Sequence, residues 1–168
     1  MRTLLVLGGA RSGKSRYAEM RAAACGRERV YLATAEALDD DMRARIAHHR
    51  ADRGPNWDTV EAPLDLARAI ADRSAPDTIL LVDCLTLWTS NLILAERDCG
   101  GACAALLQAL AAAQGPIILV ANEIGLGIVP DNVLARRFRD EAGRINQRVA
   151  AAVDEVQFVA AGLALRLK

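Results

Sequence analysis

Residues 8–15 read Gly8-Gly9-Ala10-Arg11-Ser12-Gly13-Lys14-Ser15, which satisfies the phosphate-loop pattern G-x-x-x-x-G-K-[ST]. Its flanks constrain the fold more than the pattern does. Thr3 to Leu7 is a short apolar, β-prone run, and the residues from Ser15 onward read as a helix start. Strand, glycine loop and helix in that order are the context the motif requires. Glycines let the backbone approach an anion closely. Successive N–H groups and the new helix's N-terminus then point at phosphates. Lys14 would sit near the β- and γ-phosphates, and the Ser15 hydroxyl could hold Mg²⁺. The stretch predicts binding of a nucleoside triphosphate.

A chain of 168 residues reads as one domain, able to bury roughly 70% of its unfolded surface. It is 52% apolar with few aromatics and a formal net charge of zero. No basic stripe favours nucleic acid, no apolar run approaches the ~20 residues of a membrane span, and no leader precedes the first strand. Cys25, Cys84, Cys99 and Cys103 lack the spacing of a zinc site or a disulfide framework. They predict reduced thiols and a cytoplasmic setting.

Short β-rich runs alternate with helical stretches, which predicts an α/β fold, a mostly parallel sheet flanked by helices. Strands are expected at Thr3–Leu7, Val30–Thr34, Trp57–Val60, Thr78–Asp83, Pro116–Ala121, Val156–Ala160 and Leu163–Leu167, the last two forming a short C-terminal hairpin. Helices are expected at Ser15–Cys25, Asp41–Ala51, Leu64–Asp72, Leu85–Arg97, Ala102–Ala113 and Asn132–Val153. The stretch Asn122–Pro130 is too glycine-rich for a helix.

Ligands of open α/β sheets sit outside the carboxyl ends of the strands. Asp83 ends the most apolar strand, where a phosphate-loop enzyme keeps its Mg²⁺-holding acid; it could instead cap the following helix. Thr34, Asn122 and Glu123 also end strands, and each could be a turn or cap residue. On the helix after strand two, Asp41, Arg45, His48 and Asp52 share one stripe, while Met42, Ile46 and His49 form a more apolar one. Spacing alone makes His48 an incidental histidine on a solvated face.

Several segments together resemble the bifunctional adenosylcobinamide kinase / adenosylcobinamide-phosphate guanylyltransferase family of cobalamin biosynthesis. They are GGARSGKSRYAE, YLATAEALDDDMRARIAHHRADR, LVDCLTLWTSNLI, ANEIGLGIVPDNVLARRFRDEAGRINQRVA and the terminal AGLALRLK. The resemblance runs from Leu5 to Lys168 and departs only in Ala62–Ile79 and Ile93–Gln114. RIAHHR and NEIGLGIVP are its more specific parts, since many families share the phosphate loop.

The resemblance implies two activities. ATP or GTP would phosphorylate adenosylcobinamide. GTP would then guanylylate the first histidine of the pair, His48, which would pass GMP to adenosylcobinamide phosphate. An imidazole is nucleophilic near neutral pH, and a covalent intermediate divides one hard displacement into two. The resemblance also implies nucleotide contacts from residues 8–15, Ala33, Thr34, Ala35, His49, Arg50, Ala51 and Asp52, and nucleotide or metal contacts from Glu61 and Asp83. Lys14 would be catalytic, Ser15 and Asp83 would hold Mg²⁺, and the assembly would be a homotrimer. The loop at 125–130 is the expected neighbour of the corrinoid. A small-molecule kinase without nucleotidyl transfer, or a nucleotide-dependent switch, would also satisfy the phosphate loop taken alone.

Overall fold

The computed structural model describes residues 2–36 and 56–168. The expected helix at Asp41–Ala51, with His48, His49, Arg50 and Ala51, lies outside the described residues, as does Asp52. In chain order the elements are β1 (Thr3–Gly8), α1 (Lys14–Ala23), β2 (Glu28–Ala33), β3 (Asp58–Glu61), α2 (Leu66–Arg73) and β4 (Thr78–Asp83). There follow α3 (Leu85–Leu94), α4 (Cys99–Ala112), β5 (Ile117–Asn122), α5 (Val133–Ala152), β6 (Glu155–Ala160) and β7 (Leu163–Arg166).

The strands form one sheet in the order β3-β2-β4-β5-β1-β6-β7. Every neighbouring pair is parallel except the β6–β7 hairpin. The expected α/β class with its C-terminal hairpin is therefore found. β1 is the P-loop strand, and β5 separates it from β4, which ends in Asp83.

Period-two alternation divides the core. Leu5, Leu7, Leu80, Val82, Ile117 and Leu119 point to one face, where they pack with Leu66, Trp88, Leu106 and Ile145 of the other helices. Leu4, Val6, Ile79, Leu81, Ile118 and Val120 point to the opposite face and meet Ala18 and Ala22 of α1. Continuous apolar strands thus bury both faces, as parallel sheets require. Small alanines let α1 lie close to the sheet, bringing the loop before it down onto the strand ends.

Two helix boundaries depart from expectation. α3 ends at Leu94 rather than Arg97, because Glu96 takes a left-handed φ of 53°. The Glu96 N–H then bonds the Ile93 carbonyl at 3.1 Å, and the Arg97 N–H bonds that of Leu92 at 2.8 Å. This paired closure usually carries glycine at the left-handed position, so a glutamate there gives no signal. α4 starts at Cys99 rather than Ala102, through Gly100 and Gly101. Asp98 explains it: its two carboxylate oxygens accept from the N–H groups of Gly100 at 2.9 Å and Gly101 at 3.1 Å.

Candidate active site

The phosphate loop is shaped by close backbone approach. A Cβ on Gly8 would lie 2.5 Å from both Ser12 Oγ and the Val159 carbonyl oxygen. Arg11 and Gly13 take positive φ values of 55° and 92°, which turn successive N–H groups toward one concavity. Gly13 is the N-cap of α1 and carries no side chain that could satisfy the first turn. By contrast Cys84, Asp98 and Asn132 cap α3, α4 and α5 with side-chain acceptors. The first turn of α1 therefore presents N–H groups without intrahelical partners, the arrangement that receives an anion.

Lys14 Nζ folds back over this loop and donates to the Gly9 carbonyl at 3.1 Å. Ala10 and Arg11 are exposed, Gly9, Lys14 and Ser15 are half-buried, and Ser12 is buried with its Oγ unpartnered among the described residues. The hairpin turn between β6 and β7 braces the loop from behind. The Gly162 N–H donates to the Ser12 carbonyl at 2.8 Å, and a Cβ on Gly13 would stand 3.2 Å from Gly162 Cα. The sequence marked Ala161-Gly162 as a turn but carried no sign of what it touches.

Asp83 ends β4 beside this loop. Its Oδ2 accepts from the Tyr31 hydroxyl at 3.1 Å, a partner that sequence reading missed because Tyr31 lies 52 residues away on β2. The capping alternative for Asp83 is not what forms: Cys84 is the N-cap, its Sγ accepting from the Leu87 N–H at 3.5 Å. Burial above all, then the Asp83 charge, pushes the Cys84 thiol up to about 11, while the Lys14 charge pulls the other way. The buried thiol thus feels the charge of the loop lysine as well as that of the neighbouring strand-end carboxylate.

Thr34 is fully buried. Its hydroxyl donates to the Cys84 carbonyl at 2.8 Å and accepts from the Cys84 N–H at 2.7 Å. Its own carbonyl accepts from Asn91 Nδ2 at 2.7 Å. Thr34 thus clamps the end of β2 to the residue after Asp83. Ala33 and Ala35 flank it, half-buried, and Glu61 is exposed at the end of β3, opposite Ala33 in register. β3 is the sheet edge, with β2 and then β4 inside it. β1, which leads into residues 8–15, and β3, which ends in Glu61, each stand two strands from Asp83 on β4, on opposite sides of it.

The donor set suits a hard divalent cation. Ser15 offers a hydroxyl and Asp83 a carboxylate, and Mg²⁺ commonly takes one or two protein oxygens with the remainder from phosphates and water. Among the described residues no cluster of three or more His, Cys, Asp and Glu side chains could hold a metal unaided, and such a site needs none. The residues present fit Mg²⁺.

Comparisons with known proteins give the family. The family described as cobinamide kinase / cobinamide phosphate guanyltransferase matches residues 4–167. The bifunctional adenosylcobalamin biosynthesis protein CobP of Pseudomonas aeruginosa is 49% identical over 166 residues, covering 98% of this chain and 96% of that protein. The bifunctional adenosylcobalamin biosynthesis protein CobU of Salmonella typhimurium is 42% identical over 180 residues, covering 98% and 99%. In fold alone, the flagellar accessory protein FlaH of Methanocaldococcus jannaschii superimposes with a TM-score of 0.55 at 12% identity, covering 99% of this chain and 78% of that one. A match over nearly the whole chain, on a sheet that sets a phosphate loop beside Asp83, makes this protein a member of the cobinamide kinase / cobinamide phosphate guanyltransferase family.

Proposed function

We propose that this enzyme of the cobinamide kinase / cobinamide phosphate guanyltransferase family works in two steps through a guanylyl-histidine at His48. ATP or GTP phosphorylates the aminopropanol hydroxyl of adenosylcobinamide. GMP from GTP then passes through His48 to adenosylcobinamide phosphate, giving adenosylcobinamide-GDP and pyrophosphate. The observation that carries the reading is the uncapped first turn of α1, with Lys14 folded over it, in a chain matched by this family over residues 4–167.

The loop N–H groups hold the phosphates, and Lys14 exchanges its Gly9 carbonyl for a phosphate oxygen, stabilising charge that grows during transfer. Ser15 and Asp83 would hold Mg²⁺, which when bound offsets negative charge on the β- and γ-phosphates. Tyr31, bonded to Asp83 Oδ2, keeps that carboxylate oriented. Nucleotide contacts would continue through Ala33 and Ala35, through His49 to Asp52, and through Glu61, whereas Thr34, fully buried with its hydroxyl and carbonyl already bonded, is a brace and not the contact expected of it. For the second step, a neutral imidazole nitrogen of His48 attacks the α-phosphorus of GTP and pyrophosphate leaves. A phosphate oxygen of adenosylcobinamide phosphate then displaces His48. The resemblance of RIAHHR supports that assignment.

The corrinoid would lie against the glycine-rich loop, where Leu126, Ile128 and Val129 are exposed. A homotrimer would cover the exposed Leu163 and Leu165 of the edge strand β7 and Leu167 just after it, since bare apolar edges invite pairing. Four free cysteines support work in the reducing cytoplasm.

Intact-protein mass after incubation with GTP and Mg²⁺, without corrinoid, tests the covalent step. The expected result is a gain of one GMP in the wild type and none in His48→Ala. An adduct that survives in His48→Ala would remove the histidine from the mechanism. Cobinamide phosphorylation without any adduct would leave a kinase alone.

A further inference from the structure

The end of β5 holds a side chain that the mechanism above does not use. Asn122 stands opposite Gly8 in the β1–β5 register, two residues beyond Val120, the partner of Asp83 on β4. Parity places it on the same sheet face as its strand neighbours Ile118 and Val120, the face that α1 covers. Gly8 follows Leu4 and Val6 on that face, and Asp83 follows Ile79 and Leu81. Asn122 therefore lies between the phosphate loop and the strand-end carboxylate, on the side where both converge.

Its backbone is held on both sides. The Asn122 N–H donates to Thr86 Oγ1 at 2.7 Å, and its carbonyl accepts from Asn146 Nδ2 at 3.3 Å. The next residue ties this strand end to the loop, since the Glu123 N–H donates to the Gly8 carbonyl at 3.0 Å. Yet Asn122 Oδ1 is buried without a hydrogen-bond partner among the described residues. A buried acceptor left unpaired costs free energy, and an orphan of this kind in a native fold calls for an explanation.

Among the reactants, the phosphate oxygens are themselves acceptors and cannot satisfy Oδ1. The alcohol that receives the phosphoryl group carries a hydroxyl hydrogen and can. We infer that Asn122 orients the substrate alcohol for phosphoryl transfer, its Oδ1 accepting the hydroxyl hydrogen so that the alcohol oxygen faces the γ-phosphorus. This rests on the kinase half of the proposed function. In the step, the alcohol oxygen bonds to the γ-phosphorus while the bridging bond to the β-phosphate breaks, its electron pair leaving with the nucleoside diphosphate. The hydroxyl proton passes to an oxygen of the transferred phosphoryl group. Asn122 neither gains nor loses a proton.

The test is steady-state phosphorylation of adenosylcobinamide by ATP with the full chain, comparing wild type, Asn122→Ala and Asn122→Ser. Thermal unfolding and equilibrium affinity for a non-hydrolysable ATP analogue are measured alongside. Loss of orientation should lower kcat in Asn122→Ala by about 10–100-fold. The nucleotide KM and analogue affinity should stay within about twofold, and Asn122→Ser, which keeps an acceptor, should recover part of the rate. Wild-type kcat in Asn122→Ala would overturn the inference. So would a matching fall in rate and analogue affinity in both variants, which would make Asn122 a brace for the loop. No phosphorylation by the wild type itself would overturn the kinase reading, and the inference with it.

Discussion

Gly8 and Gly9 stand side by side in the phosphate loop and differ in what surrounds them. A Cβ on Gly8 would press on Ser12 Oγ and on the backbone carbonyl of Val159, whereas one on Gly9 meets nothing within 4 Å among the described residues. The serine side chain can rotate, but the carbonyl belongs to β6, paired with β1 along its length. Gly8→Ala should therefore push the loop off the strand ends and destabilise the fold by about 1–3 kcal/mol. A loss of about 1.4 kcal/mol in triphosphate binding would be tenfold in affinity. Gly9→Ala should show neither effect. Urea unfolding and nucleotide titration of the two variants check this, and equal tolerance at both positions would refute it.

At the scale of elements, the start of α4 depends on one carboxylate. Asp98 accepts from two successive glycine N–H groups, and a Cβ on Gly101 would come within 2.7 Å of Asp98 Oδ2. The glycines admit the capping carboxylate, which offsets their low helix propensity. Asp98→Ala should cost about 1 kcal/mol, read as a lower urea midpoint with an unchanged slope. No shift would mean that packing of Cys103, Leu106 and Leu110, all buried, fixes the helix start without the cap.

Across the whole molecule, an ion pair ties the last turn of α1 to the start of β6, at the end of the sheet away from the phosphate loop. Arg21 Nη1 lies 2.9 Å from Glu155 Oε1, and the second nitrogen reaches Oε2 at 3.1 Å. The Arg21 hydrogen bond, outweighing burial, lowers the Glu155 carboxyl from 4.5 to about 2. A carboxylate whose folded value is depressed contributes stability above its unfolded value and loses it as pH falls through the folded one. The contribution is thus complete above about pH 4.5 and fades toward pH 2. The gap in urea midpoint between wild type and Glu155→Gln should be wide at pH 6 and narrow toward pH 2. A constant gap would show that the pair does not set acid stability.

The phosphate loop, the strand-rich runs and the C-terminal hairpin were legible because each is written in neighbouring residues. A glycine pattern, an apolar run or a turn dipeptide depends on local backbone preference and on period-two burial. The end of α3 was not legible, because Glu96 adopts a left-handed conformation that its residue type does not announce. Nor was the start of α4, where Gly100 and Gly101 read locally as a break and the Asp98 cap overrides them.

Partnerships across the sheet were hidden for a different reason. Tyr31 meets Asp83 across a gap of 52 residues, and Gly162 reaches Ser12 only because β6 lies beside β1. Asn122 stood out as a strand end, but its unpaired oxygen exists only where β1, β4 and β5 are adjacent. Sequence by itself determined the class of fold and the anion-binding loop, since both follow from short-range patterns. Tertiary structure decided which side chains face that loop, because strand order and parity set those distances.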